Sequence, residues 1–142
     1  MMPHIRSFAE SDCLRLVEIL ERNGQYSYPV AEGPEAMCRF AACDVSIFLV
    51  AECDGQIQGF IRAIYDGSRA LIHLMSVNPE VQGKGIGGAL LAATEAELSR
   101  RGASGASVTA TENSAGFWEK HGYGRLPVHL MLKTNFISNS GL

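Results

Sequence analysis

The sequence lacks the features that mark a membrane protein or a nucleic-acid-binding protein. Its 142 residues contain no recognisable signal peptide and no apolar run of about 20 residues, the length that a membrane-spanning helix needs. Positive charge is not in excess either, because 12 Lys and Arg stand against 15 Asp and Glu, for a formal net charge of −3. We therefore expect no membrane and no nucleic acid among its partners, and any polyanion must be held by a local site.

The spacing of the cysteines points to no special chemistry. The chain has four cysteines, at Cys13, Cys38, Cys43 and Cys53. They form no C-x-x-C pair and no His-Cys group at metal-ligand spacing, so no metal site is predicted. We expect reduced, mostly buried thiols in a cytoplasmic protein. The chain is 46% hydrophobic and 19% charged, which predicts a single globular domain over residues 1–142 with a loosely ordered tail from about 135.

Glycine, in contrast, is concentrated in one place. Between Val77 and Leu91 an apolar run ends in a loop that opens into a helix, and the loop region holds Gly83, Gly85, Gly87 and Gly88. Each glycine costs about 0.5–1 kcal/mol in a regular element, so this clustering favours a functional role. Glycines let the backbone approach a ligand and adopt positive φ, and the first N–H groups of a helix point toward an anion. The stretch predicts a site for a pyrophosphate-bearing cofactor.

Hydrophobic periodicity and turn residues predict a mixture of helices and strands. Three runs rich in β-branched and aromatic residues are joined by Asp54-Gly55 and by Asp66-Gly67-Ser68, which predicts two consecutive hairpins. The predicted strands cover residues 4–8, 46–53, 57–65, 70–77, 107–111, 122–125 and 128–133. The predicted helices begin after Ser11-Asp12, at Pro34, at Gly88 and near Ser114, and they end near Gly24, Ala42, Arg101 and His121.

The glycine loop has two other interpretations as a nucleotide site. As G-x-G-x-x-G it matches a dinucleotide-binding fingerprint, with Glu112 roughly where the ribose-binding acid of that motif would be sought. That fingerprint follows the first strand of a β-α-β repeat, however, whereas this loop follows two predicted hairpins. The P-loop pattern fails, because Asn78 replaces its first glycine and Gly85 follows Lys84 in place of Ser or Thr. A nicotinamide-binding fragment is therefore the weakest hypothesis, and a bound nucleoside triphosphate is not expected.

Two motifs in this order resemble those of one family. V-x-P at Val77 and Pro79, followed by Q-x-x-G-x-G at Gln82, Gly85 and Gly87, resembles the acetyl-CoA motif of the GNAT N-acetyltransferases. Residues 113–123, NSAGFWEKHGY, resemble the family's late segment, and the resemblance runs from about residue 5 to about residue 133. It implies an α/β fold with a GNAT-type mixed, mostly antiparallel seven-stranded sheet, helices on both faces and a splayed central parallel strand pair.

The resemblance also implies a function and a set of cofactor contacts. The expected activity is acetyl-CoA-dependent N-acetyl transfer to a primary amine by direct attack in a ternary complex, and a homodimer is expected by analogy. The backbone of Met75 and Val77 would pair with the pantetheine arm, and the Val77 N–H would face the thioester carbonyl as the oxyanion donor. The implied cofactor-binding residues are Met75, Val77, Gln82, Gly83, Lys84, Gly85, Ile86, Gly87, Gly88, Asn113 and Phe117.

The residues that would move protons are less well defined. His73 is the predicted base, because a period of two places it on the same strand face as Met75 and Val77, and an unperturbed pKa of about 6.5 suits a base near neutral pH. Proton transfer through water is the alternative. Trp118 occupies the position of a tyrosine that often protonates the leaving thiolate in the family, and an indole N–H cannot serve as that acid. Trp118 either walls the thioester pocket or is a core aromatic, while Tyr123 occupies a position that usually packs.

The acceptor is left open by the sequence. The aromatic loop between the first two helices is interpreted as substrate-side, with Tyr26 and Tyr28 as the predicted substrate-binding residues. Glu32, Arg62 and Tyr65 could line the same pocket. A small-molecule amine and the amine of a peptide or protein are both compatible with the composition. The missing tyrosine motivates a second hypothesis, a non-catalytic CoA-binding or sensory GNAT-like module.

Overall fold

Helices and strands follow one another along residues 2–137, the part of the chain that the computed structural model describes. Its strands are β1 (His4–Ser7), β2 (Ser46–Cys53), β3 (Gln56–Tyr65), β4 (Ala70–Val77) and β5 (Ser107–Val108). Its α-helices are α1 (Cys13–Arg22), α2 (Pro29–Glu32), α3 (Pro34–Ala41), α4 (Ile86–Arg101) and α5 (Glu112–Lys120). Short 3-10 turns at Glu10–Asp12 and Pro79–Val81 precede α1 and the glycine loop.

The two hairpins form at the turns that the sequence predicts. Between β2 and β3, Asp54 and Gly55 both have positive φ, of 52° and 78°, as a two-residue type I′ turn requires. Between β3 and β4, Gly67 has a φ of 94°, and the Asp66 Oδ1 accepts hydrogen bonds of 2.8 Å from two following backbone N–H groups. Local turn chemistry therefore sets the bounds of β2, β3 and β4 to within one residue of the prediction.

The sheet has the strand order β1-β2-β3-β4-β5. The first four strands are antiparallel neighbours, and β5 runs parallel to β4. The parallel pairing is confined to Leu71 with Ser107 and Ile72 with Val108, although β4 continues to Val77. The two strands therefore separate after residue 72, which confirms a parallel pair and leaves one edge of β4 uncovered by β5.

The prediction of seven strands is wrong for the described residues, which contain five. Residues 122–125 and 128–133 form no strand, and the parallel pair consequently lies at the edge of the sheet rather than at its centre. The physical reason is that a strand needs a partner, and β5, at only two residues, offers almost no edge on which to add one. Of the predicted tail 135–142, residues 138–142 lie outside the described residues.

Helices cover both faces of the sheet, as predicted. On one face α1 and α3 bury a core that includes Leu16, Leu20 and Met37 against strand residues such as Phe48 and Phe60; we call this the α1/α3 face. On the other face α4 buries a second core, and α5 adds one residue to it; we call this the α4 face. The main members of the α4 core are Ile61, Ile72, Ile86, Leu90, Leu91, Leu98 and Trp118.

The cysteines form no disulfide and differ in burial. Cys13 and Cys53 are buried, Cys38 is intermediate and Cys43 is exposed. Burial, with the neighbouring Cys38, raises the pKa of the Cys13 thiol to about 11, so this thiol stays protonated near neutral pH. Between residues 2 and 137, no three His, Cys, Asp or Glu side chains lie close enough to hold a metal ion. The same residues include no helix with the length and apolar character needed to cross a membrane.

Candidate functional site

The glycine loop lies in the connection between β4 and α4. β4 ends at Val77, the chain makes a 3-10 turn, and Gly83 and Gly85 then adopt left-handed backbone angles, with φ of 80° and 89°. Residues with a Cβ rarely adopt such angles, which explains a glycine at these two positions. The loop from Gln82 to Gly85 is exposed, so it is open to a ligand.

The first turn of α4 has no side chain capping it. Gly85 is the N-cap residue and offers no side-chain hydrogen bond, and the first intrahelical bond runs from the Ala89 N–H to the Gly85 carbonyl at 3.0 Å. The N–H groups of Ile86, Gly87 and Gly88 precede that bond and have no carbonyl four residues earlier in the helix. Together with the positive end of a 16-residue helix, these donors form an arrangement that suits a phosphate group.

Gly87 and Gly88 have a different role from the two loop glycines. A Cβ built on Gly87 would lie 3.2 Å from Met75 Cε and 3.3 Å from Phe117 Cε1. A Cβ on Gly88 would lie 3.4 Å from His121 Cε1. These two glycines therefore let β4 and α5 approach the start of α4, and the fold brings the predicted cofactor residues Met75 and Phe117 together at the loop.

His121 is a site residue that the sequence reasoning missed. Its ring lies beside Gly88, and its centroid is 4.5 Å from that of Phe117, one helical turn earlier in α5. The spacing of four residues from Phe117 was the available signal, because residues four apart share a helix face. Asn113 lies one turn before Phe117 on that face and is exposed, as is Lys84 in the loop.

The last residues of β4 present backbone groups to the gap between β4 and β5. The Asn78 N–H donates to the Gln58 carbonyl of β3 at 2.8 Å, and backbone groups alternate in direction along a strand. The N–H and C=O groups of Val77 and Met75 therefore point away from β3. Among the described strands none pairs with this segment, because β5 reaches only Ile72. An extended molecule can add to such an edge as a strand does.

Two side-chain amides donate hydrogen bonds to the Val77 carbonyl on this edge. Asn23 Nδ2 donates to it at 2.8 Å, and Gln82 Nε2 donates to it at 2.9 Å. Gln82 also donates to Asn23 Oδ1 at 3.1 Å, so the end of α1, the end of β4 and the loop are joined. The sequence predicts Asn23 only as a helix end, because nothing in a single sequence relates it to a strand residue 54 positions later.

Ser76 and Gln25 extend the same network. The Ser76 hydroxyl accepts a hydrogen bond of 2.8 Å from Asn23 Nδ2 and donates one of 2.6 Å to Gln25 Oε1. Gln25 Nε2 lies 3.5 Å from the Met75 carbonyl, to which it donates. The segment that follows α1 is thus held against the β4 edge by polar contacts, which places it beside the cofactor residues predicted there.

A β-bulge lies at His73. Leu74 is opposite Arg62 on β3 and Ile72 is opposite Ala63, so His73 has no partner across the ladder. Such an extra residue interrupts the alternation of side chains along a strand, and bulges are frequent beside active sites. The bulge cannot be predicted from the sequence, because it depends on how two strands are aligned.

The bulge overturns the predicted position of His73. Its ring lies 5.2 Å from that of Phe40, on the α1/α3 face of the sheet. Met75 and Val77 pack instead in the core on the α4 face. The prediction that His73 shares a face with Met75 and Val77 is therefore wrong, because a period of two does not continue through a bulge.

His73 belongs to a polar cluster with Arg62, Glu32 and Phe40. Arg62 is 6% exposed and its Nη1 donates to Glu32 Oε2 at 3.1 Å, while its guanidinium carbon lies 4.4 Å from the centre of the Phe40 ring. Partial burial, with the nearby Arg62 charge, lowers the pKa of His73, so its imidazole is neutral near pH 7. Burial raises the pKa of Glu32 and the Arg62 charge opposes that shift, and burial lowers the pKa of Arg62. Sequence reasoning named Glu32 and Arg62 as pocket residues, and the structure brings them together.

The predicted acceptor tyrosines have separate environments. Tyr26 packs against the core on the α1/α3 face, and Tyr28 is 51% exposed at the start of α2. Tyr65 does not join them, because it packs on the α4 face near Gly102, where α4 ends. The pocket expectation therefore fails for Tyr65.

Trp118 is a core aromatic in the structure. It is 6% exposed and packs edge-on against Phe117 at 5.1 Å and Tyr123 at 5.4 Å between ring centres. The Tyr123 hydroxyl donates to Glu95 Oε2 at 2.8 Å, and burial together with that carboxylate raises the Tyr123 pKa. Tyr123 is thus engaged with the middle of α4 rather than with the β4 edge.

The comparison with known sequences identifies one family. The sequence model of the acetyltransferase (GNAT) domain matches residues 44–125, more than half of the chain. The matched segment includes β2, β3, β4, the glycine loop, α4 and α5.

Solved acetyltransferases share the fold. PaiA N-acetyltransferase from Thermoplasma acidophilum, solved in complex with coenzyme A, is 22% identical with a TM-score of 0.80, and the match covers 91% of this chain and 94% of that one. A predicted acetyltransferase from Clostridium acetobutylicum, solved with acetyl-CoA, is 19% identical with a TM-score of 0.76, over 93% and 96%. An aminoglycoside acetyltransferase from an uncultured soil metagenomic sample, solved with sisomicin, is 19% identical with a TM-score of 0.75, over 93% and 96%.

Proposed function

The chain belongs to the GNAT acetyltransferase family, and on that premise we propose that it transfers the acetyl group of acetyl-CoA to a primary amine by direct attack in a ternary complex. The observation that carries the proposal is the uncapped first turn of α4 behind the left-handed Gly83 and Gly85. Such a turn offers several N–H donors to a pyrophosphate. A cytoplasmic location, expected from the thiols, is part of the same proposal.

The cofactor would lie along two surfaces that meet at Val77. Backbone groups from Gln82 to Gly88 would hold the pyrophosphate, and the outward N–H groups of Met75 and Val77, whose carbonyls already accept from side-chain amides, would face the pantetheine arm. Acetyl-CoA supplies the activated acyl group when bound. In this arrangement the Val77 N–H is the donor that stabilises negative charge on the thioester oxygen during attack. Asn113 and Phe117 would contact the cofactor from α5.

His73 is the proposed base. Its imidazole is neutral near pH 7 and reaches solvent, so it can accept a proton from the acceptor ammonium directly or through one water. It lies on the α1/α3 face, which is also the face of Tyr26, so we propose that the acceptor approaches from that side. Transfer of that proton to water, without His73, is the competing route.

A non-catalytic CoA-binding module is the second candidate, and Trp118 is the observation that favours it. Trp118 is buried at the position where the family often has a tyrosine that acts as the general acid. The Tyr123 hydroxyl is not available either, because it donates a hydrogen bond to Glu95. The leaving thiolate would then depart without a proton from either residue. Release of free thiol from acetyl-CoA over a panel of amines distinguishes the two functions: turnover supports the transferase, and CoA binding without any turnover supports the module.

We predict that CoA and acetyl-CoA, but not NAD, raise the melting temperature. A ligand at 100 times its Kd stabilises the folded state by about 2.7 kcal/mol, which corresponds to about 5–10 °C for a domain of this size. Differential scanning fluorimetry with each ligand measures this shift. Stabilisation by NAD alone would favour the dinucleotide interpretation of the glycine loop over the one proposed here.

The acceptor and the oligomeric state complete the proposal. A small-molecule amine and a peptide or protein amine are both candidates, and the aminoglycoside acetyltransferase that shares the fold was solved with sisomicin. We propose a homodimer because the segment 126–132 exposes a run of large apolar side chains: Leu126, Val128, Leu130, Met131 and Leu132 are 69–88% exposed. In this proposal a second copy of the chain supplies the partner.

Leu130→Asp should therefore convert the dimer to a monomer, because it places a charge in the middle of this apolar segment. Leu14→Asp is the matched control, since Leu14 on α1 is 80% exposed and Leu130 is 79% exposed. Light scattering coupled to gel filtration measures the mass of each variant. A wild-type chain that stays monomeric at every concentration tested would contradict the dimer.

A further inference from the structure

The Arg62 guanidinium is satisfied on only one of its edges. Its Nη1 donates to Glu32 Oε2 at 3.1 Å and to the Ala31 carbonyl at 3.5 Å. Its Nε is buried and has no hydrogen-bond partner among residues 2–137. Its Nη2 makes no hydrogen bond within that part of the chain either. Buried donors on a charged group are rarely left without an acceptor, so this edge indicates a missing partner.

Within residues 2–137, the edge formed by Nε and Nη2 is the one edge of the Arg62 guanidinium that has no hydrogen-bond partner. The guanidinium lies over the Phe40 ring at 4.4 Å and near the Phe48 ring at 5.6 Å, so aromatic rings flank the group. Glu32 holds Nη1. Nε and Nη2 lie side by side, and their two N–H groups match the spacing of the two oxygens of a carboxylate. The fold therefore fixes a guanidinium in the geometry that carboxylates prefer.

This edge is close to the residue proposed as the base. Arg62 is opposite Leu74 on the sheet, directly after the bulged His73, and the Phe40 ring contacts both Arg62 and His73. His73 and Glu32 reach solvent, so the cluster is accessible from outside at these two side chains, which lie next to the buried Arg62. A group bound at Arg62 would thus lie beside the site where the acceptor amine loses its proton.

The charges in the cluster disfavour a polycation. Glu32 is already paired with Arg62, and His73 is neutral near pH 7. Arg62 is also the charged group that perturbs the pKa of His73. A polycationic acceptor such as an aminoglycoside would find no unpaired carboxylate in this cluster, whereas an acceptor with a carboxylate would find the unpaired guanidinium edge.

Resting on the proposed acetyl transfer, we propose that Arg62 binds a carboxylate of the acceptor through Nε and Nη2. The acceptor is then an amine that carries a carboxylate a few bonds from its nitrogen, as an amino acid does. The carboxylate pairs with Arg62 while the amine lies toward His73 and the β4 edge. Arg62 is in this role a specificity-determining residue, and its contact with the substrate is not covalent.

Calorimetry with matched ligands tests the assignment. CoA-loaded protein is titrated with α-, β- and γ-amino acids and with the carboxamide of each, which keeps the amine and removes the carboxylate charge. We expect at least one acid to bind at least about tenfold more tightly than its amide, as a charge-assisted bidentate contact allows. Equal affinities within every pair, tighter binding of a polyamine, or no binding by any acid would overturn the proposal.

Two variants separate the guanidinium edge from the charge. Arg62→Lys keeps a positive charge that can pair with Glu32 but has no side-on edge, so the preference for acid over amide should fall to less than about threefold. Glu32→Gln removes the ion pair but leaves Nε and Nη2 in place, so the preference should persist. Thermal melts check that both variants fold. A Lys variant that keeps the full preference would contradict the role of the edge.

The same preparations distinguish this proposal from the activity on which it rests. If amines with and without a carboxylate cause equal release of thiol from acetyl-CoA, acetyl transfer would be supported and the Arg62 assignment would be overturned. Preferential binding of carboxylates without thiol release from any of them would support the Arg62 site and contradict acetyl transfer. Neither result depends on the other.

Discussion

Gly85→Val should abolish the binding of CoA, with a loss of affinity of at least about 100-fold, or 2.7 kcal/mol. Gly85 has a φ of 89° and is the N-cap of α4, directly before the N–H groups proposed to hold the pyrophosphate. Valine disfavours that backbone angle, and its branched side chain would occupy the space through which a phosphate approaches. Titration calorimetry with CoA measures the loss.

Gly67→Val is a matched control for backbone strain. Gly67 has a φ of 94°, and a Cβ on either Gly67 or Gly85 would meet no other atom within 4 Å. Gly67 lies in the β3–β4 turn, outside the proposed site. Both variants should therefore lose stability to a similar extent, as thermal melts would show, while only Gly85→Val loses CoA binding. Wild-type affinity in folded Gly85→Val would contradict the assignment of the loop.

His73→Ala should reduce kcat by about 10²-fold or more while changing the affinity for CoA little, because a general base contributes about 10²–10⁴-fold to rate. His73 lies on the α1/α3 face beside Phe40, whereas the proposed cofactor contacts are backbone groups on the β4 edge and the loop. Steady-state kinetics and CoA titrations separate the two effects. His4→Ala, at an exposed histidine of β1, is the control and should leave both unchanged.

The pH dependence of the rate provides a second test of His73. The neutral imidazole is the form that accepts a proton, and its pKa lies below the ordinary value of 6.5 because of partial burial and Arg62. In the wild type the rate should therefore rise as pH increases through that pKa and stop responding to His73 above it. His73→Ala should lack this acidic limb and keep the rise that reflects deprotonation of the acceptor amine. An acidic limb that is unchanged in His73→Ala would rule out His73 as the base and favour transfer through water.

The parts of the fold that depend on local sequence could be predicted well. The two hairpins follow from turn residues that require positive φ, and α4 follows from a glycine loop at one end and Gly102, with a φ of 103°, at the other. The family resemblance implied that Met75 and Phe117 lie close to the glycine loop, and the contacts around Gly87 place them together there.

The parts that depend on partners distant in sequence could not be predicted. The bulge at His73 arises from the alignment of β4 on β3, and a pattern of period two gives no sign of it. The contact of Asn23 with the Val77 carbonyl joins a helix end to a strand end. The predicted strands at 122–125 and 128–133 have side chains that are compatible with a strand, but a β5 of only two residues gives them no edge to pair with. In each case the local pattern was compatible with several tertiary arrangements.

Arg62 illustrates a further limit of the sequence. A charged residue in the middle of an apolar strand indicates a special role, and Glu32 in the preceding helical segment is a suitable partner. The sequence cannot show that Glu32 satisfies one edge of the guanidinium and leaves Nε without an acceptor. That distinction, which determines the class of acceptor proposed above, required the positions of individual side-chain atoms.

Titration calorimetry of the purified, folded chain with CoA, acetyl-CoA and NAD tests the central claim most directly. If the N–H groups at the start of α4 hold the diphosphate of the cofactor, CoA and acetyl-CoA should each bind at one site per chain, and NAD should give no heat of binding. A cooperatively melting protein that gives no heat with either CoA or acetyl-CoA would contradict the account.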